Sequence, residues 1–369
     1  MMKIAITGGS GFIGTHLVNL LKKEHDILIL DREPSKIHEV DFIECDLLES
    51  EKISNALENT DIVIHLAAAV GVKLTEENPL HTLNLNIQGT QNILESSKKN
   101  NVKKIIFASS SEIYGEAVHV PIKETDPPMP ITNYGVSKIT GEEYVKAFSK
   151  ISSMKYSILR FFNAYGPGQS SSFVMSEFVS KAVSNKPITI HGSGEQLRAF
   201  CHIHDIVNGI NLCLSNGDNQ IFNIGNNKEP ITIFDLAKNI KSITESDSEI
   251  TFLPFENTER KRTSEIMKRI PDIQKAHDIL GYNPQISLNE GIKSIFKWRE
   301  LYFQTIDEIK KRVVDCNVKI CVIGVGTIGL PLATFLAKKG FKVNGLDISQ
   351  RRVDQINNAT VIYEYQDML

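Results

Sequence analysis

Four short, unbroken apolar runs recur in the first half of the chain: KIAIT, ILILD, DIVIHLAA and KKIIFASSS. Stretches with helical periodicity separate them, first from Phe12 to Lys23 and later NIQGTQNILESSKK. A strand with one wet face alternates apolar and polar residues. A continuous apolar run fits a strand covered on both faces. Strands alternating with helices imply a parallel sheet with helices on either side. The expected class is therefore α/β, a doubly wound parallel sheet. After Tyr165-Gly166-Pro167 the pattern becomes less regular. KPITIHGSGE and NQIFNIGNN are isolated strand candidates, and ITIFDLAKNIKSI and SLNEGIKSIFKWRELY are helix candidates. This predicts a smaller α/β domain over the open end of the sheet. A new strand, turn, helix and strand begin near Lys319.

The expected organisation has four parts. Residues 1–166 form the nucleotide-binding domain, with some later segments returning to it. Residues 167–300 form the substrate domain, and 301–318 a linker helix. Residues 319–369 form a truncated second β-α-β fragment.

The 369 residues are 41% apolar and 23% charged, enough for a large core. A net charge of -3 gives no reason to expect a nucleic acid or an anionic membrane as partner. The five cysteines show no paired spacing, which fits a reducing cytoplasm. The apolar run in MMKIAITGG is too short for a signal peptide or a membrane span.

Gly8, Gly11 and Gly14 follow the first strand and open the first helix. This spacing lets backbone amides approach a pyrophosphate at a helix N-terminus. Asp31 ends the next strand, where a carboxylate can accept both ribose hydroxyls and repel a 2′-phosphate. The expected cofactor is NAD rather than NADP, although Arg32 at the same edge is able to contact a phosphate.

Tyr134 and Lys138 stand four residues apart, so on a helix their side chains are neighbours. A free phenol, with a pKa near ~10, is too weakly acidic to act as a base at neutral pH. A nearby ammonium and a cationic nicotinamide ring both favour the phenolate. Tyr134 is then able to take a proton from a sugar hydroxyl. Ser109, Ser110 and Ser111 end the fourth strand at the carboxyl edge, where parallel sheets bind ligands. CHIHD, residues 201–205, holds two histidines. A packing or capping role is expected there, and no metal site.

TGGSGFIG, HLAAAV, NIQGT, SSSEIYG, YGVSK, RFFNAYGP and GEQLRAFCHIHDI occur in this order. With them, the chain from Met2 to about Glu300 resembles an extended short-chain dehydrogenase/reductase. More narrowly, it resembles the NAD-dependent nucleotide-sugar epimerase/dehydratase family, of UDP-glucose 4-epimerase type. The resemblance implies a Rossmann-type fold and a catalytic set of Ser110, Tyr134 and Lys138. It implies that NAD is held by Gly8, Gly11, Phe12, Ile13, Gly14, Asp31, Asp46, Leu47, Ala67 and Asn86. Tyr134 and Lys138 join that set, with Phe162 near the nicotinamide. Asn163 and Arg198 would hold the sugar nucleotide, together with Ser110 and a second diphosphate contact from Arg262. The family often dimerises through two helices of the nucleotide domain, which implies a homodimer.

Members share oxidation at carbon 4 of the sugar and differ afterwards. Dehydratases carry an Asp/Glu pair after the catalytic hydroxyl residue. Here the pair reads Ser111-Glu112, which disfavours dehydration. UDP-glucuronate decarboxylases carry Ser-Glu there, with Glu112 as a catalytic participant, and LRAF also resembles theirs. AAAVGVKLTEENPL instead resembles 4-epimerases, and NAYGPGQ lacks the arginine that decarboxylases usually carry. The expected activity is a 4-epimerase acting on UDP-glucose/UDP-galactose or a UDP-N-acetylhexosamine. The decarboxylase is the rival, and a non-catalytic NAD sensor is the alternative of another class.

VKICVIGVGTIGLPLA repeats the glycine pattern at Gly324, Gly326 and Gly329, with Asp347 ending the next strand. It resembles the start of UDP-glucose and UDP-N-acetylmannosamine dehydrogenases. A single β-α-β unit cannot cover both faces of its strands, so a fragment that binds no NAD is expected here.

Overall fold

The computed structural model describes residues 1–71, 75, 77–254, 266–316, 318–326 and 328–358. Two compact units emerge, Met1–Arg299 and Glu300–Leu369.

The four apolar runs become β1 (Lys3–Thr7), β2 (Asp26–Asp31), β4 (Ile62–His65) and β5 (Lys104–Ser110). With β3 (Asp41–Glu44), β6 (Lys155–Phe161) and β11 (Gln220–Ile224) they form a seven-stranded sheet, ordered β11-β6-β5-β4-β1-β2-β3. Every pairing in it is parallel. Continuous apolarity is explained by cover on both faces. One face packs Ile4, Ile6, Ile64 and Ile106 against α1 (Phe12–Leu21) and α6 (Ile203–Leu212). The other packs Ala5, Val63, Ile105 and Phe107 against α2 (Ser50–Ala56), α3 (Pro79–Lys99) and α4 (Asn133–Lys150). Strand order reverses between β1 and β4. Ligands bind at the carboxyl ends of strands flanking such a switch point.

A third apolar cluster lies in the later part of this unit. It gathers Met175 and Phe178 of α5 (Val174–Val183), Leu236 and Ile240 of α7 (Ile233–Ile243), and Leu288, Ile292 and Ile295 of α9 (Leu288–Val314). Short strands surround it. β8 (Ile188–His191) pairs with β13 (Ile250–Leu253). β9 (Leu197–Arg198) lies between β12 (Ile231–Thr232) and β14 (Lys268–Arg269). The parallel pairing of β9 and β14 puts Arg269 in register with Arg198.

The second unit contains β15 (Lys319–Ile323) paired in parallel with β16 (Lys342–Leu346), followed by α11 (Gln350–Asn357). The helix α10 (Gly329–Lys338) joins the two strands and buries none of its residues.

Candidate active site

The first glycine loop joins β1 to α1 at the switch point. Gly8 adopts φ 73, a conformation that L side chains rarely hold. A Cβ there would also lie 2.7 Å from the Ala67 nitrogen, so the loop passes directly against the end of β4. A Cβ on Gly14 would lie 2.2 Å from the Gly8 oxygen, so α1 starts hard against the loop. Gly11 caps α1 without any side-chain bond, and the first turn carries no acidic residue. The helix end is therefore left for an anion. The buried Ser10 Oγ in this loop has no hydrogen-bond partner among the described residues. Asp31 accepts from the amides of Ser10 at 3.0 Å and Glu33 at 3.1 Å, which pins its carboxylate at the strand end. Arg32 reaches toward Asp46, at 3.7 Å, a pair with an exposed arginine and a half-buried aspartate that turns the guanidinium to a carboxylate. Spare donors, a tight glycine turn and a fixed carboxylate fit a dinucleotide with an unphosphorylated ribose.

The other expected cofactor positions lie around this loop and the loop after β4. Asn86, on α3, accepts from the Ala69 amide at 2.7 Å and donates to the Ser137 hydroxyl at 3.0 Å. It ties the loop after β4 to α4, so its amide group is already committed. Leu47 is buried where α3 passes with Gly89 in place of a side chain, and its carbonyl accepts from Asn92. The Asp46 carboxylate also accepts from the Leu48 amide. Phe12 and Ile13 are partly covered at the start of α1. Phe162, expected near the nicotinamide, has no exposed surface. Its ring is enclosed by Ile113, Tyr114 and Ile122, so it supports the site from within the core.

The reacting groups come together at the ends of β5 and the start of α4. Thr132 caps α4 by accepting from the Gly135 amide at 3.0 Å, which fixes the turn carrying Tyr134. The Tyr134 phenol lies next to the hydroxyl of Ser110, the last residue of β5. Lys138 is buried, donates to the Ala108 carbonyl at 2.8 Å, and lies 5.7 Å from the Tyr134 ring centre. Burial lowers its pKa to about 8, opposed by the negative charge of Glu142. Burial and the Glu112 charge push the Tyr134 phenol above its usual range, against the Ser110 hydroxyl and the Arg269 charge. In the protein alone, the phenol is thus held protonated. The lysine ammonium lies under the ring and is turned to the Ala108 carbonyl; the phenolate is expected of it only together with the cationic nicotinamide ring.

Glu112 lies on a 3₁₀ turn, Ser111–Tyr114, that continues β5. Its carboxylate pairs with Arg269 at 2.8 Å and accepts from the Thr132 hydroxyl at 3.3 Å. Arg269 was not singled out from the sequence. Nothing local marks KRIPDI; only the pairing of β14 beside β9 brings it to the site. On the sugar-nucleotide side, Asn163 adopts φ 37 and donates to the Ala199 carbonyl at 2.9 Å. The Arg198 guanidinium donates to the carbonyls of Leu197 at 3.1 Å and Met267 at 3.3 Å. Arg262 lies outside the described residues, as do parts of AAAVGVKLTEENPL.

His65, at the end of β4, is a further buried group near Lys138. Thr90 gives its own proton to the Asn86 carbonyl, so it accepts from His65 Nε2 at 3.1 Å, and Nδ1 accepts from Thr7 at 2.7 Å. Burial, then the Lys138 charge, lowers its pKa to about 3, so it is neutral. His202 caps α6 by accepting from the His204 amide, and lies 3.2 Å from the Ser294 hydroxyl. That is the capping role expected of CHIHD.

Residues 4–225 match the NAD dependent epimerase/dehydratase family. The chain belongs to that family. Its members use NAD, and the loop geometry suits it. Residues 318–367 separately match the NAD binding domain of the UDP-glucose/GDP-mannose dehydrogenase family. A Methanocaldococcus jannaschii protein described as "Putative UDP-glucose 4-epimerase" is 36% identical over 310 residues, covering 80% of this chain and 97% of the relative. The UDP-N-acetyl-alpha-D-glucosaminuronate decarboxylase of Bacillus cytotoxicus is 33% identical over 79% of this chain and 96% of its own length. The crystal structure of Thermotoga maritima UDP-glucose 4-epimerase with UDP-glucose aligns with a TM-score of 0.77. It covers 82% of this chain and 100% of that one, at 33% identity. The Rossmann-type fold and the nucleotide-sugar epimerase/dehydratase chemistry are thus common to this chain and its family.

Proposed function

We propose that this member of the epimerase/dehydratase family is a UDP-sugar 4-epimerase, acting on UDP-glucose/UDP-galactose or a UDP-N-acetylhexosamine. The observation that carries this reading is the assembly of Ser110, Tyr134 and Lys138 at the carboxyl edge, next to a complete dinucleotide loop. A mere NAD binder has no use for that trio. The family likeness to the Thermotoga maritima epimerase supports it. Glu112 supports it as well: paired to Arg269, it is a fixed anion rather than a free base for further elimination.

Tyr134 takes the proton of the carbon-4 hydroxyl through its phenol oxygen, with Ser110 hydrogen-bonded to the same reacting oxygen. Bound NAD supplies reversible acceptance of the carbon-4 hydride and a cationic ring that favours the phenolate. The Lys138 ammonium adds positive charge beneath the phenol, and its bond to Ala108 prevents it from drifting away. Arg198 and Asn163 would hold the diphosphate and sugar, so that the sugar can present its other face. Tyr134 then returns the proton it took, and the net change is inversion at carbon 4.

A decarboxylase reading has one observation in its favour. Arg269 brings a guanidinium to Glu112 beside the catalytic tyrosine, a place able to receive a sugar carboxylate. The experiment is to incubate the full chain with NAD and UDP-glucose, UDP-GlcNAc or UDP-glucuronate, and to identify products by NMR. Carbon-4 epimers without carbon dioxide are expected. A UDP-pentose or 4-keto-pentose from UDP-glucuronate would replace the epimerase with the decarboxylase.

A further inference from the structure

Under the catalytic trio lies a buried ionic network that the mechanism above does not use. Ser109 and Arg160 are directly opposed in the parallel pairing of β5 and β6, so their side chains leave the sheet on the same face. That face is covered by α4. There Glu142 receives the Ser109 hydroxyl at 2.5 Å and two Arg160 nitrogens at 2.9 and 2.7 Å. Glu142 is 0% exposed and Arg160 4%. The second Arg160 amino group donates to Tyr114 at 2.7 Å and to the Glu124 carbonyl at 3.1 Å. Tyr114 in turn donates to Asn223 on β11 at 2.8 Å.

We propose that Glu142 is a positioning residue: clamped by Arg160 and Ser109, it fixes Lys138 and the end of β5 relative to Tyr134. The proposal rests on the assignment of Tyr134 as the proton carrier. Two geometric facts carry it. Glu142 is one helical turn beyond Lys138 on α4, so the pair lie on the same face. Ser109, which Glu142 holds, stands between Ala108, whose carbonyl holds Lys138, and Ser110, the last residue of β5, next to the Tyr134 phenol. One carboxylate therefore sets the distance from helix to strand for both partners of the proton-transfer pair.

It also supplies the charge that keeps the lysine cationic. Burial alone disfavours an ammonium, and Glu142 opposes that loss. Other groups facing Lys138 do not substitute. His65 on β4 is neutral, and the Phe107 ring on β5 carries no charge. Tyr134 is protonated in the protein alone, and Glu112 is paired with Arg269 on the far side of the phenol. Arg160 is bound to Glu142 itself.

The test uses Glu142→Gln and the paired variant Glu142→Gln with Arg160→Met. The pair removes both charges and so leaves no lone cation in the core. Lysine carbon NMR on the NAD-free protein, with Lys138→Met to identify the signal, reads the Lys138 titration directly. Its midpoint should fall in both variants, further in the single one, where the Arg160 cation remains. Turnover should drop roughly tenfold above the new midpoint and much less below it, moving the alkaline limb of the pH profile to lower pH. A folded paired variant whose Lys138 midpoint and pH profile match the parent would overturn the proposal. If no UDP-sugar is turned over by the parent, the function assignment fails, while the titration still decides the role of Glu142.

Discussion

The two glycine loops of this chain are close copies at the level of backbone and hydrogen bonds. Gly8 at φ 73 and Gly324 at φ 81 make the same left-handed turn. Their amides bond to Leu30 and Leu346, at the ends of the neighbouring strands. Asp31 accepts from the amides of Ser10 and Glu33, and Asp347 accepts from those of Val325 and Ser349 in the same relation. The third glycine is needed for the same reason in both. A Cβ would lie 2.2 Å from the Gly8 oxygen at Gly14, and 1.8 Å from the Gly324 oxygen at Gly329. Their settings differ. The first loop sits on a seven-stranded sheet with a core on both faces, and Tyr134 and Lys138 stand at the end of β5 in the same sheet. Among the described residues, the second sits on two strands, with Ile323, Ile328, Phe335 and Leu346 exposed. A short sequence is enough to make the turn. We infer that making the turn work also takes a filled sheet and a reacting group across the switch point.

The difference can be broken most forcefully at the reacting group. Tyr134→Phe keeps the shape of the ring and removes only the proton carrier. NAD should still bind the first loop while turnover falls by ~10²–10⁴. Steady-state assays with the substrate identified by NMR check this, and near-parental turnover would remove Tyr134 as the base.

Core substitutions compare the two settings next. Ile64, on β4 under the first loop, is fully buried, and Ile64→Ala should cost about 2–5 kcal/mol of stability. Leu332, on α10 behind the second loop, is 49% exposed, and Leu332→Ala should stay within ~0.5 kcal/mol. Urea titration measures both. Equal costs would mean that the second unit has a core of its own in solution.

A smaller effect concerns the ribose. Asp31 repels a 2′-phosphate, and Arg32, turned to Asp46, is not placed to offset it. NAD should bind more tightly than NADP by at least about 1 kcal/mol, the scale of one unscreened contact between like charges in water. Asp31→Ala should narrow that gap. Tighter binding of NADP by the parent would show that Arg32 dominates.

What was legible in the sequence was chemistry carried by neighbours along the chain. Gly8, Gly11 and Gly14 form one turn, and Tyr134 and Lys138 share one helix face, so spacing alone places them. The parallel class was legible because burial on both faces leaves no alternation in KIAIT or DIVIHLAA. Contacts made across the fold were not. Arg269 meets Glu112 only through the pairing of β9 with β14, and Arg160 meets Glu142 only through the register of β5 with β6. Phe162 matched a motif position, yet which of two adjacent phenylalanines faces inward depends on where β6 ends. The tie that Asn86 makes between Ala69 and Ser137 was likewise out of reach, since it joins the loop after β4 to a distant helix. The burial that raises the Tyr134 pKa in the protein alone was not legible either, since burial is a property of the whole fold.

The central claim is that only the first of the two similar loops is a working cofactor site. Calorimetric titration of the NAD-stripped full chain with NAD measures this directly, repeated on Asp31→Ala, on Asp347→Ala and on a chain ending near Gln304. One NAD per chain is predicted, with binding weakened by Asp31→Ala only, and with the shortened chain retaining parental turnover and melting temperature. Two NAD per chain, loss of binding in Asp347→Ala, or an inactive shortened chain would contradict it.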